Sequence, residues 1–148
     1  MIVKEVLGNL QNGDISGKRI ERVYLEWFEL DKRRLRKVTD RGTEVGIAMD
    51  GPRRLQDGDI LYDEEQTLIV VEVLAAEAIV LMPKTMKEMA QVCYQLGNRH
   101  ASVFLDEGQV LVPFDPTIVE WLTKSEIPLH IEKRRLKHAL HATVNHQH

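Results

Sequence analysis

The sequence predicts an α+β protein: a small all-β domain first, then a domain with the element order β-α-β-β-α-β. Two observations carry that expectation. Before residue 84 no apolar residues recur at helical spacing over a useful length, whereas short runs of β-branched, aromatic and charged residues alternate between turn residues. After residue 84, two segments with helix-start signals are interleaved with apolar, strand-like runs.

The elements follow in order. RIERVYLEWFEL (19–30) reads as a half-buried strand. DKRRLRKVTDRGTEVGIAM (31–49) reads as two strands joined at Asp40-Arg41-Gly42, where glycine supplies a positive φ. MDGPRRLQDGDILY (49–62) is a chain of turns, broken by Asp50-Gly51-Pro52 and Asp57-Gly58. TLIVVEVL (67–74) and EAIVLMP (77–83) are two further strands separated by a bend. Thr85 and Glu88 then have the spacing of a capping box at a helix start. Met86, Met89, Ala90, Cys93 and Leu96 form one apolar helical face, and Gly97 is placed to end the helix. ASVFLDEGQVLVPF (101–114) is a hairpin turning near Glu107-Gly108. Asp115 caps a second helix with Pro116 at its first position, and Ile118, Val119 and Leu122 supply its buried face. LHIEKR (129–134) returns as the last strand. This order is the ferredoxin-like arrangement. The expected division is 1–75 for the β-rich domain, 76–137 for the ferredoxin-like domain, and 138–148 for a flexible, histidine-bearing tail.

Composition narrows the function classes. Of 148 residues, 43% are hydrophobic and 29% charged, a soluble globular profile. The net charge of −3 demands neither a nucleic-acid nor an acidic-lipid partner. The single cysteine, Cys93, cannot form an internal disulfide and fits a reducing compartment. MIVKEVLGNLQ lacks a basic start followed by a long apolar run, and LIVVEVLAAEAIVLM is interrupted by Glu72 and Glu77. The expected location is cytoplasmic, with no membrane partner.

Enzyme signatures are missing: there is no phosphate-binding G-x-x-x-x-G-K-[ST], no H-E-x-x-H, no G-x-S-x-G and no paired C-x-x-C. Cys93 sits on the apolar helix face and reads as a core filler. A ferredoxin-like RNA binder needs aromatic residues on its central strands, and ASVFL and QVLVPF offer one Phe each. KRRLRK (32–37) is a basic strand near Glu26, Glu29, Asp31 and Asp40, and reads as a solvated face. No enzyme and no nucleic-acid partner are expected.

The histidines remain. There are six, and four of them (His138, His141, His146 and His148) fall in the final eleven residues. Neutral imidazole suits nickel, copper and zinc over magnesium or calcium. His146 and His148 lie on one side of an extended chain, and His138 and His141 share a face if that stretch is helical. The same composition describes a solvated polar tail, so both readings stand. His100 follows Gly97-Asn98-Arg99 just past the helix. It reads as a surface residue at a helix exit, or as a ligand doubled by a two-fold axis. In either metal reading, the imidazoles must shed their protons, so affinity should fall as pH drops through about 6.5.

PKTMKEMAQVCYQLGNRH (83–100), RRLRKVTDRGTEVGI (33–47), LQDGDIL (55–61) and the HQH ending together resemble the urease accessory protein UreE family of nickel metallochaperones, over nearly the whole chain. The resemblance implies a β domain like a chaperone peptide-binding module, then a ferredoxin-like metal domain that forms a homodimer; pairing of dimers through one shared metal stays open at the level of sequence. It implies Ni(II) as cargo, with Zn(II) or Cu(II) also able to bind. His100 is implied as the anchor ligand beside its symmetry mate. His146 and His148 are implied as added ligands, whereas His141 and His138 are read from the tail's composition as weaker contributors. Gly97 is expected to allow the turn that presents His100, with Asn98 and Arg99 holding the loop. Delivery to apo-urease is implied through the GTPase UreG, with UreF and UreH (UreD). Some members carry histidines at the turn into the second helix; VPFDP (112–116) has none here. Two other readings are a peptide-binding adaptor whose β domain docks partners, and a zinc or nickel store.

Overall fold

The structure is a computed structural model that describes residues 1–12 and 17–140. The chain divides into two compact units, Met1–Leu74 and Ala75 onward.

The first unit contains β1 (Ile2–Val3), β2 (Gly8–Asn9), β3 (Arg19–Leu25), β4 (Arg34–Val38), β5 (Glu44–Ala48), β6 (Asp59–Glu64) and β7 (Thr67–Val73). They form two sheets, ordered β1-β5-β4 and β2-β6-β7-β3. β4 and β5 are the expected hairpin, with Gly42 at φ +89 in its turn. Val23, Leu25, Val45, Ile47, Ile69 and Val71, from both sheets, meet in one core. Ile60, Leu68 and Val70 are buried on the other side of the second sheet, with Leu10 and Ile20 against them. Burial on both faces explains why TLIVVEVL is almost continuously apolar.

Three strands differ from the sequence reading. The strand expected to run from 19 to 30 stops at Leu25, and Trp27–Glu29 form a 3-10 turn in which Glu29 Oε1 accepts from Glu26 N at 2.9 Å. β6 begins inside the stretch taken as turns; its hairpin with β7 turns at Glu65, with φ +55 and no Gly or Asn to mark it. β1, which leaves no local pattern, pairs in parallel with β5. Asp59, fully buried, holds the loop before β6. It accepts two bonds from Arg53 (2.9 Å each), one from Asn9 Nδ2 (3.1 Å) and one from Gln56 N (2.7 Å).

The second unit follows the expected order: β8 (Ala75–Leu81), α1 (Met86–Asn98), β9 (Phe104–Asp106), β10 (Gln109–Pro113), α2 (Pro116–Lys124) and β11 (His130–Arg135). The sheet order β11-β8-β10-β9 is the antiparallel ferredoxin-like arrangement. Asp115 caps α2 by accepting from Thr117 N at 2.9 Å. Ile79, Leu81, Val110 and Val112 face Val92, Leu96, Ile118 and Leu122 of the two helices. The sheet also rolls. Arg134 of β11 reaches Asp106 (2.7 Å) and Gln109 (2.9 Å) near the opposite edge, and Leu105 N donates to His138 O at 3.0 Å. Ala78, Val80, Phe104, Leu111 and Leu136 are accordingly buried as well.

Candidate metal site

The site is built from the end of α1. Thr85 Oγ1 accepts from Glu88 N at 3.0 Å, and the Glu88 carboxylate accepts from Lys84 N at 2.9 Å, one residue earlier than a reciprocal box would place it. Val92 and Leu96 are buried and Met89 and Cys93 half-buried, so the inward face runs 89-92-93-96. Met86 and Ala90, expected on that face, are exposed instead. Together with Tyr94 and Gly97 they make a second, outward strip, in which Met86 is 89% and Tyr94 72% exposed. The helix carries two apolar edges, and simple periodicity merges them. Cys93 packs 3.8 Å from Met89 Sδ, and burial pushes its thiol pKa up, which fits the filler reading.

The exit from α1 also differs from the sequence reading. Gly97 remains helical and does not terminate the helix. His100 itself takes the left-handed conformation, at φ +58. Its N–H donates to Gly97 O (2.9 Å), and Ala101 N donates to Leu96 O (3.0 Å). This is a Schellman ending, with a histidine at the position usually held by glycine. Ala101 packs in the cluster that buries Leu96, as the motif's apolar contact requires. α2 ends identically, with Glu126 at φ +58 and bonds from Glu126 N to Thr123 O and Ile127 N to Leu122 O. Arg99 lays its guanidinium over Trp121 of α2, 4.1 Å from the ring centroid, and so fixes the turn against the neighbouring helix. His100 stays exposed. Left-handed backbone turns its side chain out of the helical array, an orientation that no local sequence signal announced.

The other histidines fall into two groups. His130 is exposed at the start of β11, with Nε2 3.0 Å from Glu132 Oε1. His138 is in extended chain rather than a helix: its carbonyl accepts from Leu105 N, Ala139 bridges Phe104, and Leu140 N donates to Val103 O at 2.8 Å. The condition for His138 and His141 to share a helical face is therefore not met at His138. The bridge also roots the end of the described chain at Val103, three residues from His100. His141, His146 and His148 lie outside the described residues. Among the described residues, no three His, Cys, Asp or Glu side chains converge on one ion position. Within the described residues the histidines therefore stand apart from one another rather than in a ligand cluster. No helix among the described residues is long and apolar enough to cross a membrane.

The architecture defines a class of protein: a two-sheet β domain joined to a ferredoxin-like domain that displays a histidine at an open helix end. Residues 3–74 match the family profile described as UreE urease accessory protein, N-terminal domain, and residues 69–148 match its C-terminal domain counterpart. Relatives described as urease accessory protein UreE are similar throughout. The one from Geobacillus kaustophilus is 38% identical, covering 100% of this chain and 99% of its own. That from Staphylococcus carnosus is 39% identical over 100% and 99%. That from Haemophilus influenzae strain PittEE is 39% identical over 95% and 79%. The chain belongs to the UreE urease accessory protein family.

Proposed function

We propose that this protein is a cytoplasmic, non-enzymatic nickel carrier of urease maturation. Two copies pair through the second unit and hold Ni(II) between their His100 side chains, with His146, His148 and, more weakly, His141 and His138 as further ligands. The ion passes to apo-urease with UreG, UreF and UreH (UreD), and Zn(II) or Cu(II) competes for the same imidazoles.

One observation carries this reading: an exposed apolar strip, Met86-Ala90-Tyr94-Gly97, runs along α1 and ends on the left-handed His100. Apolar residues at i, i+4, i+8 and i+11 are what a helix shows to a partner helix. Gly97 supports the same pairing. A glycine inside a helix costs about 1 kcal/mol relative to alanine, and here nothing among the described residues requires it. A Cβ at Gly97 would meet no atom within 4 Å, and its backbone is not in the positive-φ region. A close approach by a second helix would account for it. The tail can reach as well. Val103 lies at most about 11 Å from His100 along the chain, and eight residues beyond Leu140 span at most about 28 Å.

The test is nickel equilibrium dialysis combined with sizing, on the parent and on His100→Ala. The expected result is a dimer holding about one tight ion, and a variant that remains a dimer and loses the ion. A variant that binds as tightly as the parent would remove His100 from the site.

A further inference from the structure

The basic stretch 32–37 has a use that metal carriage leaves unexplained. β4 is the edge strand of its sheet. Arg33 O accepts from Met49 N and Thr43 O from Thr39 N (2.9 Å each), which sets the hydrogen-bonded pairs with β5 at odd positions. The N–H and C=O groups of Arg34, Arg36 and Val38 therefore point to the free edge. On the faces, Leu35 packs against the core, Lys37 pairs with Glu29 at 2.9 Å and Thr39 is buried, so Arg34, Arg36 and Val38 all project outward and are exposed.

Three of the acids expected to neutralise this strand are engaged away from Arg34 and Arg36. Glu29 serves Lys37, Asp31 pairs with Arg54 at 2.9 Å, and Asp40 accepts from Arg22 N at 2.9 Å. Among the described residues, neither Arg34 nor Arg36 forms an ion pair. Their neighbours on β5 are Ala48 and Gly46, which leave the guanidinium groups open from above.

We infer that the free edge of β4 is a docking site for an extended acidic segment of a partner protein, added as a further strand. Arginines two apart on a strand are about 7 Å apart on one face, matching carboxylates at alternate positions of the added strand. The edge offers three N–H and three C=O groups. A peptide backbone answers both kinds, whereas a nucleic-acid phosphate accepts only. Val38, 58% exposed, provides an apolar seat at the end of the row, and Glu44 opposite it turns away a third acid. The same arginines protect the edge against neutral or basic strands, including that of a second copy.

The test uses the full chain and a labelled nine-residue peptide alternating glutamate and valine. The measurements are fluorescence anisotropy and amide hydrogen exchange, with a thymidine oligonucleotide as rival. Saturable binding is expected, with slowed exchange at the amides of Arg34, Arg36 and Val38. Arg34→Glu with Arg36→Glu should weaken it at least about tenfold, and Arg36→Gln by an intermediate factor. A peptide N-methylated at alternate amides should bind at least about tenfold more weakly, whereas His100→Ala should bind it like the parent, since the inference does not depend on the metal. Absence of saturable binding, indifference to the double substitution or to N-methylation, or tighter binding of the oligonucleotide would each overturn it.

Discussion

Replacing His100 with glycine should make the protein more stable while removing its candidate ligand. His100 sits at φ +58, and Ala101 and His100 donate the two hydrogen bonds that end α1. An L-residue in this conformation carries a strain of about 1–2 kcal/mol. Glycine removes that strain but gives back about 0.5–1 kcal/mol in chain entropy. The net gain is about 0.5–1 kcal/mol, or about 3–6 °C in Tm for a domain of this size. No packing is forfeited, because the imidazole is exposed. Glu126→Gly is an internal control: it occupies the same position of the same motif on α2, also at φ +58, and should stabilise to a similar degree without altering metal binding. The assay is thermal unfolding in chelator, followed by nickel dialysis. If His100→Gly melted lower than the parent while Glu126→Gly melted higher, the imidazole would have a structural role that the strain argument lacks.

Gly97→Ala should raise helix stability by about 0.5–1 kcal/mol in the isolated chain yet weaken self-association. Gly97→Leu should abolish association; sedimentation at several concentrations reads both. Asp59→Ala should destabilise the first unit by about 3 kcal/mol, because Gln56 N and Asn9 Nδ2 lose a buried acceptor and Arg53 its partner. Urea titration measures this, and a loss under about 1 kcal/mol would contradict it. The Glu21 carboxyl, 6% exposed, has its pKa held below the usual value by the hydroxyls of Thr43 and then Thr39, each donating at 2.7 Å. A depressed folded-state pKa gives stability that is present above the unfolded value of about 4.3 and lost as pH falls through the folded one. Thr43→Val should therefore flatten the acid limb of the stability profile, which unfolding between pH 7 and pH 3 would show.

How much of this was legible in advance depends on how local each signal is. The second unit was readable because its devices are written within a few residues: Thr85 with Glu88, Asp115 with Pro116, Glu107 with Gly108. The first unit was less so. β3 lies parallel to β7, with Arg19 opposite Thr67, and β1 beside β5, with Ile2 opposite Gly46. Such partners are chosen by which surfaces must be buried together, and two or three residues of β1 or β2 carry no period of their own. α1 misled for a related reason. Its apolar residues serve two faces, and only the packing of Val92 and Leu96 against the sheet shows that Met86 and Ala90 lie on the other.

The sequence by itself determined the order of elements in the second unit, the N-terminal caps of both helices, and the histidines from which a metal site could be drawn. Tertiary structure decided the rest. It kept Gly97 helical and put the left-handed turn on His100, because the bond from Ala101 N to Leu96 O and the burial of Leu96 leave the chain no other exit. It also brought Leu140 back to Val103, near that same turn, because rolling the sheet buries Phe104 and Leu136. Residues 37 apart in sequence, such as Val103 and Leu140, become neighbours only when a shared apolar surface leaves water, and no local pattern encodes that.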